Sequence, residues 1–433
     1  MAKIQPVKGT RDFYPDQMAV RNWIFDGWRR ASIRSGFVEY DSPIFEYLQL
    51  YTQKSGEEIA SQLFSLTDRG GRELAIRPET TPSLARLVNQ KINALPRPIK
   101  WFSISRLCRA ERPQKGRLRE FFQWNIDIIG EDSVLADAEC IYTAIDYLRS
   151  AGLTPDDIVV KISSRAMLAE LLKSQGFAEN RLEMVYSLLD KRPKLPEETF
   201  LALVEEQIEE ESLRKSLLRI IRNVESLEQL SAIAPDSAQF QVDTLKNELF
   251  PCLESMGIGD YCSFDINIVR GLAYYTGMVF EIFDRQSQLR AICGGGRYDN
   301  LLAGLGGPQV PAVGFGMGDV VLEILLREKK RIGSVQNTVD FFIVDASPET
   351  FEKKIELAGR LRALGFSTVI SYKSIALGKQ LKQASQQNTR NTVILGQETL
   401  DNGEITLKNM QDGTQQRIAL SDFLDNPRRF LPD

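Results

Sequence analysis

Apolar residues recur at helical spacing near the start of the chain. Val20, Trp23, Ile24, Trp28 and Ala31 share one face and predict an amphipathic helix that stops at Gly36. FVEYDSPIFEY then reads as extended chain broken by Pro43. From about residue 72 to 130, short apolar runs (ELAIRP, KWFSIS, FFQWNIDIIG) alternate with one helical pattern, TPSLARLVNQ, as in a mixed sheet flanked by helices. Residues 137–148 read as helix again. Between about 165 and 240 the strand patterns stop: Leu213, Leu217, Ile220, Ile221 and Val224 line one helical face, and charges fill the others. Sheet patterns return after 262 in CSFDINIVRGLAYYTGMVFEIF, AICGGGRYDNLL and VPAVGFGMGDVVLEILL. Past the charged stretch REKKRIGSVQNT, strand and helix patterns alternate through NTVILG, which predicts a small α/β domain with parallel strands. The expected organisation is an α+β domain made from residues 1–164 and 241–326, a helical insertion at 165–240, a linker at 327–338 and the C-terminal α/β domain at 339–433.

Composition narrows the chemistry more than the fold. The chain has 433 residues, 43% hydrophobic and 26% charged, as in ordinary soluble domains. No apolar run reaches the length of a membrane span, and the start MAKIQPVKGTRDFYP lacks a signal peptide's apolar stretch, so a cytoplasmic protein is expected. The five cysteines (Cys108, Cys140, Cys252, Cys262, Cys293) are scattered and never paired as CxxC, which argues against a disulfide framework or a zinc cage. Histidine is absent altogether. That removes a Ser-His nucleophile, an imidazole base and a His-ligated metal, leaving carboxylates, arginines, the substrate's own groups or a bound cation.

Against a net charge of −4, Arg106, Arg109, Arg112, Lys115, Arg117 and Arg119 place six positive charges in fourteen positions. Counterions, a phosphate or a nucleic acid could each answer them. FFQWNIDIIG carries Gln123, Asn125 and Asp127 at alternate positions; a polar face in buried surroundings points to a polar ligand rather than to solvent at a sheet edge. RPETT (77–81) sets Arg77, Glu79 and Thr81 on one face of an extended chain, where carboxylate and hydroxyl can hold an ammonium group or merely cap a turn. VRGLAYYTG (269–277) puts Arg270, Tyr274 and Tyr275 in an apolar stretch, and its guanidinium needs a structural carboxylate or a ligand phosphate. GGGRYD (294–299) matches neither a dinucleotide fingerprint nor a P-loop and reads as a turn. The acidic stretch EEQIEEE reads as a solvated helix face.

Taken in order, KGTRDFYP, RPETT, RAERPQKGRLREFFQWNIDIIG, VRGLAYYTGMVFE, GGGRYDNLL and PAVGFGMG resemble the successive motifs of the histidyl-tRNA synthetases, a family of class II aminoacyl-tRNA synthetases. The resemblance covers nearly the whole chain. It implies an antiparallel catalytic sheet flanked by helices, with a helical insertion and a C-terminal anticodon-binding domain. It implies that histidine, ATP and Mg²⁺ form histidyl-adenylate, that the acceptor is histidine tRNA, and that the protein is a homodimer with Pro43 at the interface, without a membrane. By position, Arg109 and Arg270 would act at the α-phosphate, with Glu111 near the adenine. Glu79 and Thr81 would hold the α-ammonium of histidine, Gln123 its carboxylate, and Asp127, Tyr274 and Tyr275 would surround its ring. Arg112, Gln114 and Lys115 would meet the tRNA acceptor end. No protein-bound metal is implied.

The chain departs from the pattern at two places. Val321 stands where the class carries an arginine on the adenine and γ-phosphate; either another arginine, with Arg119 the candidate, takes that load, or ATP use is impaired. Ala273 stands where many relatives carry an acid. The rival reading is a synthetase-like regulatory subunit that binds histidine without activating it, but such proteins lose the motif arginines and the C-terminal domain, and this chain retains both. With no protein imidazole, a pH limb between 6 and 7 is expected to follow the substrate's ring, which titrates at about 6.5 when unperturbed.

Overall fold

Trp28, Trp124 and Tyr147 are fully buried and meet at ring-centroid distances of 5.7–6.2 Å, where Trp124 Nε1 also donates to Ser32 Oγ at 2.9 Å. Three elements converge on this contact: the helix Pro15–Arg34, a central strand and the helix Val134–Ser150. The first helix ends as its pattern predicts, with Gly36 at φ +75°. The computed structural model describes residues 4–52, 62–271, 274–286, 289–333, 338–373 and 375–431. It divides into two compact units, residues 1–12 with 21–333, and residues 13–20 with 334–433.

In chain order the strands of the first unit are β1 (Val38–Glu39), β2 (Phe45–Tyr47), β3 (Phe64–Thr67), β4 (Glu73–Ile76), β5 (Ile99–Cys108), β6 (Glu120–Ile129), β7 (Ile158–Ser164), β8 (Cys262–Phe264), β9 (Met278–Asp284), β10 (Cys293–Arg297) and β11 (Ala312–Gly318). Among the described residues, eight of them form one sheet in the order β1-β5-β6-β11-β10-β9-β7-β8, and β2-β4-β3 form a small separate sheet. The pairings from β5 through β7 are antiparallel, and only the two edge strands β1 and β8 add in parallel. β6 is therefore interior, and its polar residues cannot belong to an edge. Between residues 165 and 243 the described chain is helical: Arg165–Ser174, Leu182–Lys191, Glu197–Gln207, Glu211–Asn223, Leu227–Ile233 and Asp236–Asp243.

Two expectations change. Gly294, Gly295 and Gly296 do not form a turn; they lie fully buried inside β10, paired with β9 on one side and β11 on the other. The reason is space. A Cβ on Gly295 would strike the Gly314 carbonyl and lie 2.6 Å from Phe315 Cβ and 2.8 Å from Phe280 Cε1. The described residues of VRGLAYYTG, by contrast, precede β9 as loop, with Arg270 at φ +61°.

The second unit contains β12 (Val339–Asp345), β13 (Thr368–Ile370), β14 (Thr389–Leu395), β15 (Glu404–Asn409) and β16 (Gln415–Ala419), ordered β13-β12-β14-β15-β16. β12 pairs in parallel with β13 and β14, as the alternating pattern predicts. The hairpin β15–β16 extends the sheet antiparallel, so the sheet is mixed; its turn centres on Asp412 and on Gly413 at φ +77°. Alternate residues of β12 feed two cores, Phe341 and Ile343 on one face and Phe342 and Val344 on the other.

Gly295→Ala should lower stability by about 1–3 kcal/mol, the cost of overpacking a filled core, seen as a fall in the thermal midpoint. An unchanged midpoint would mean that the two strands yield freely at this crossing.

Candidate functional site

Period-two alternation along β6 sends Trp124 and Ile126 into the core and Gln123, Asn125 and Asp127 to the other face. β11 sets Gly318, Gly316 and Gly314 directly opposite those three polar residues. Gly314 and Gly316 leave room that the side chains occupy, whereas a Cβ on Gly318 would meet nothing within 4 Å. A Cβ on Gly314 would collide with Asp127 Oδ1, one on Gly316 would lie 2.6 Å from Gln123 Nε2, and one on Gly294 of β10 would overlap the Arg270 guanidinium.

This lane floors a chamber of about 50 Å³ lined by Glu79, Thr81, Arg109, Gln123, Asn125, Asp127, Arg270, Tyr274, Tyr275 and Tyr298. The chamber shares Arg109, Gln123 and Arg270 with a cavity of about 810 Å³, within the size range of ligand sites. Glu111, Arg117, Arg290 and Val321 also line the larger cavity, as do Lys161, Asp265 and, from the helical stretch, Asp190, Arg192 and Glu197.

Inside the chamber the polar groups are paired so as to leave defined vacancies for a ligand's donors. Tyr298 Oη donates to Asp127 Oδ1, while Asp127 Oδ2 is buried with no hydrogen-bond partner among the described residues. Burial pushes the Asp127 carboxyl up to about 7, with the Tyr298 hydrogen bond working the other way. A carboxyl of the protein itself therefore titrates in the range that the sequence assigns to a substrate ring alone. Tyr274 Oη donates to Glu79 Oε2 at 3.1 Å, and its ring meets Tyr298 edge-on at 5.7 Å. Burial, and then Glu79 for Tyr274 and Asp127 for Tyr298, hold both phenols far above neutral pH, so both remain donors.

Two guanidinium groups stand where chamber and cavity share their walls. Arg270 donates to Glu281 Oε1 at 2.5 Å and lies 5.7 Å from the Tyr275 ring centroid. Arg109, in the connection between β5 and β6, donates to the Pro78 carbonyl at 3.0 Å and lies over Phe121 at 5.2 Å. Burial lowers the Arg109 pKa, with Glu79 and Glu111 working the other way, and the guanidinium keeps its proton.

Most of the residues singled out from the sequence converge here, with exceptions. RPETT is not one extended face: β4 ends at Ile76, Arg77 turns away to Asp41 at 2.7 Å, and Thr81 already begins the helix Thr81–Asn89, with Pro82 in its first turn. Glu79 and Thr81 still reach the chamber. Glu111 lines the large cavity, where Arg117 Nε lies 2.6 Å from its carboxylate. Arg119 lines neither space; its Nε donates to the Glu111 carbonyl at 3.0 Å, and Arg117 and Arg290 hold the cavity positions instead. Arg112, Gln114 and Lys115 are exposed on the β5–β6 connection and line neither space, although their neighbours Glu111, Gly116 and Arg117 line the larger one. Ala273 lies outside the described residues. Sequence reasoning passed over Tyr298 and Glu281. The first sits in GGGRYD, where only the glycines drew notice; the second is one acid in an apolar strand, a signal that alternation against Phe280 and Ile282 could have supplied.

Among the described residues no cluster of three or more His, Cys, Asp or Glu side chains is placed to hold a metal, and no helix is long and apolar enough to cross a membrane.

The histidyl-tRNA synthetase family model matches residues 9–319, and an anticodon binding domain model matches residues 340–427. The chain is 40% identical over 426 residues to the chloroplastic/mitochondrial histidine–tRNA ligase of Arabidopsis thaliana, covering 97% of this chain and 86% of that one. It is also 40% identical over 423 residues to the histidine–tRNA ligase of Opitutus terrae, covering 96% of each. The chain belongs to the histidyl-tRNA synthetase family. The fold agrees: the crystal structure of histidyl-tRNA synthetase from Nostoc sp. PCC 7120 superposes with a TM-score of 0.82 over the full length of both chains at 23% identity.

Folding takes up a proton at Asp127 between about pH 3.9, the free carboxyl value, and about 7. This group's contribution to stability therefore falls as pH rises through that window. Asp127→Asn should gain stability relative to the parent from pH 4 to 7 and keep a constant advantage above. Melting curves whose difference is flat across that range would show that Asp127 is ionised throughout.

Proposed function

We propose that the chain carries out its family's reaction, histidine–tRNA ligation, with histidine in the small chamber and the MgATP complex in the large cavity. The single observation that carries the assignment is the buried, unpartnered Asp127 Oδ2 beside Tyr298, an acceptor for a ring N–H, at a chamber that shares two arginines with a nucleotide-sized cavity. Glu79 and Thr81 hold the α-ammonium, Gln123 orients the carboxylate, and Asp127, Tyr274 and Tyr275 enclose the ring. The histidine carboxylate attacks the α-phosphorus, the bond to the β-phosphate oxygen breaks, and pyrophosphate leaves with its electron pair. Arg109 and Arg270 stabilise the charge that builds on the α-phosphate oxygens, a task that needs fixed cations rather than a base. Mg²⁺ enters with the nucleotide and shields the outer phosphates. In the second step a ribose hydroxyl at the tRNA 3′ end attacks the adenylate carbonyl and releases AMP.

The exposed Arg112, Gln114 and Lys115 are assigned to the acceptor end, and residues 339–433 to the anticodon. The catalytic domain is taken as residues 1–164 and 241–326, with the insertion and linker between and after them. A homodimer is favoured by exposed Phe45, Tyr47 and Leu66 on the small sheet beside Pro43. Five free cysteines suit the cytoplasm. Retention of Arg109 and Arg270 weighs against a regulatory subunit that only binds histidine.

Histidine-dependent ATP–pyrophosphate exchange tests the reading against all twenty amino acids; exchange with histidine only is expected. Histidine binding without exchange would favour the regulatory role. Arg270→Ala should cut exchange by roughly two to three orders of magnitude with little change in histidine affinity, whereas a near-normal rate would make Arg270 structural. With an accepted analogue whose azole ring does not titrate, kcat/KM should keep an acid limb near pH 7 from Asp127. Disappearance of that limb would assign it to the substrate.

A further inference from the structure

We infer that Arg290 replaces the arginine that Val321 displaces, and that its guanidinium binds the outer phosphates of ATP beside Arg117. This rests on the ATP reading of the large cavity. Strand pairing supplies the geometry. Cys293 of β10 faces Met317 of β11, and Gly318 N–H donates to the Ile292 carbonyl at 3.2 Å, so the segment that carries Arg290 runs antiparallel beside the start of the helix Asp319–Glu328. Arg290 and Val321 line the same cavity from neighbouring chain segments. The room at position 321 is already taken. A Cβ on Gly116, in the turn of the β5–β6 connection, would lie 3.1 Å from Val321 Cγ2, so that turn packs where a longer side chain would have to pass.

The charge balance points the same way. No hydrogen bond or ion pair engages Arg290 among the described residues. Its neighbours are Arg117, which repels it, and Glu111, whose carboxylate already lies 2.6 Å from Arg117 Nε. Burial, reinforced by Arg117, lowers the Arg290 pKa. A half-buried guanidinium beside a second one, with a single shared carboxylate, is a site for a multivalent anion. In a cavity that Arg109 and Arg270 also line, where they are assigned to an α-phosphate, the anion that fits is the β,γ-diphosphate of the same nucleotide.

The test uses the full chain and begins with the parent's histidine-dependent exchange. Arg290→Ala should raise KM for ATP and for pyrophosphate about 10- to 100-fold, the effect of removing one charged phosphate contact, and Arg290→Lys should recover part of it. Affinity for a non-hydrolysable sulfamoyl analogue of histidyl-adenylate, which has no β- or γ-phosphate, should stay within twofold. Unchanged KM values in an active Arg290→Ala variant would overturn the inference, and so would equal losses for ATP and the analogue, which would mark a structural role. A parent that shows no exchange with histidine would instead remove the ATP reading beneath it.

Discussion

The site depends on a constraint of space inside an antiparallel sheet. Strands lie about 4.8 Å apart, and side chains that stand over a neighbouring strand survive only where that strand carries none. Gly294, Gly314 and Gly316 meet that condition for Arg270, Asp127 and Gln123 respectively. On the opposite face the same strands carry Phe315, Phe280 and Trp124, packed edge-on at 4.9–6.4 Å, which hold the backbone in place. One face is rigid because it is full, and the other can bind because it is bare.

Burial then sets the electrostatics. Removing Asp127 from water raises its pKa, and Tyr298 fixes which oxygen remains to accept from a ligand. Arg270 is balanced by Glu281, so a fixed cation is held in buried surroundings at tolerable cost. Under the proposed reaction, fixed cations and a substrate that brings its own nucleophile leave no task that calls for a protein histidine, and the chain has none.

What was legible in the sequence was periodic. The first helix, the polar face of β6 and the helical stretch from 165 all follow from spacing, and the interior place of β6 agrees with its buried polar alternation. What was not legible depends on contacts across the sheet. Three glycines in a row read as a turn because local propensity favours one; their strand conformation is imposed by Arg270, Phe315 and Val279 from other segments. Arg119 and Arg117 are two residues apart, and only the path of the β5–β6 connection decides which faces the cavity. The β15–β16 hairpin turns at Asp412 and Gly413, an Asp-Gly pair that marks a hairpin, beyond the strand-helix alternation that ends at NTVILG.

The glycine lane can be tested at one atom. The three heavy atoms nearest to a Cβ at residue 294 all belong to the Arg270 guanidinium. Gly294→Ala should therefore keep the parent's thermal midpoint within a degree or two and still lose histidine-dependent ATP–pyrophosphate exchange by an amount close to that caused by removing the Arg270 guanidinium. Exchange at the parent's rate in a folded Gly294→Ala protein would contradict the claim that bare backbone in β10 is what positions the Arg270 guanidinium.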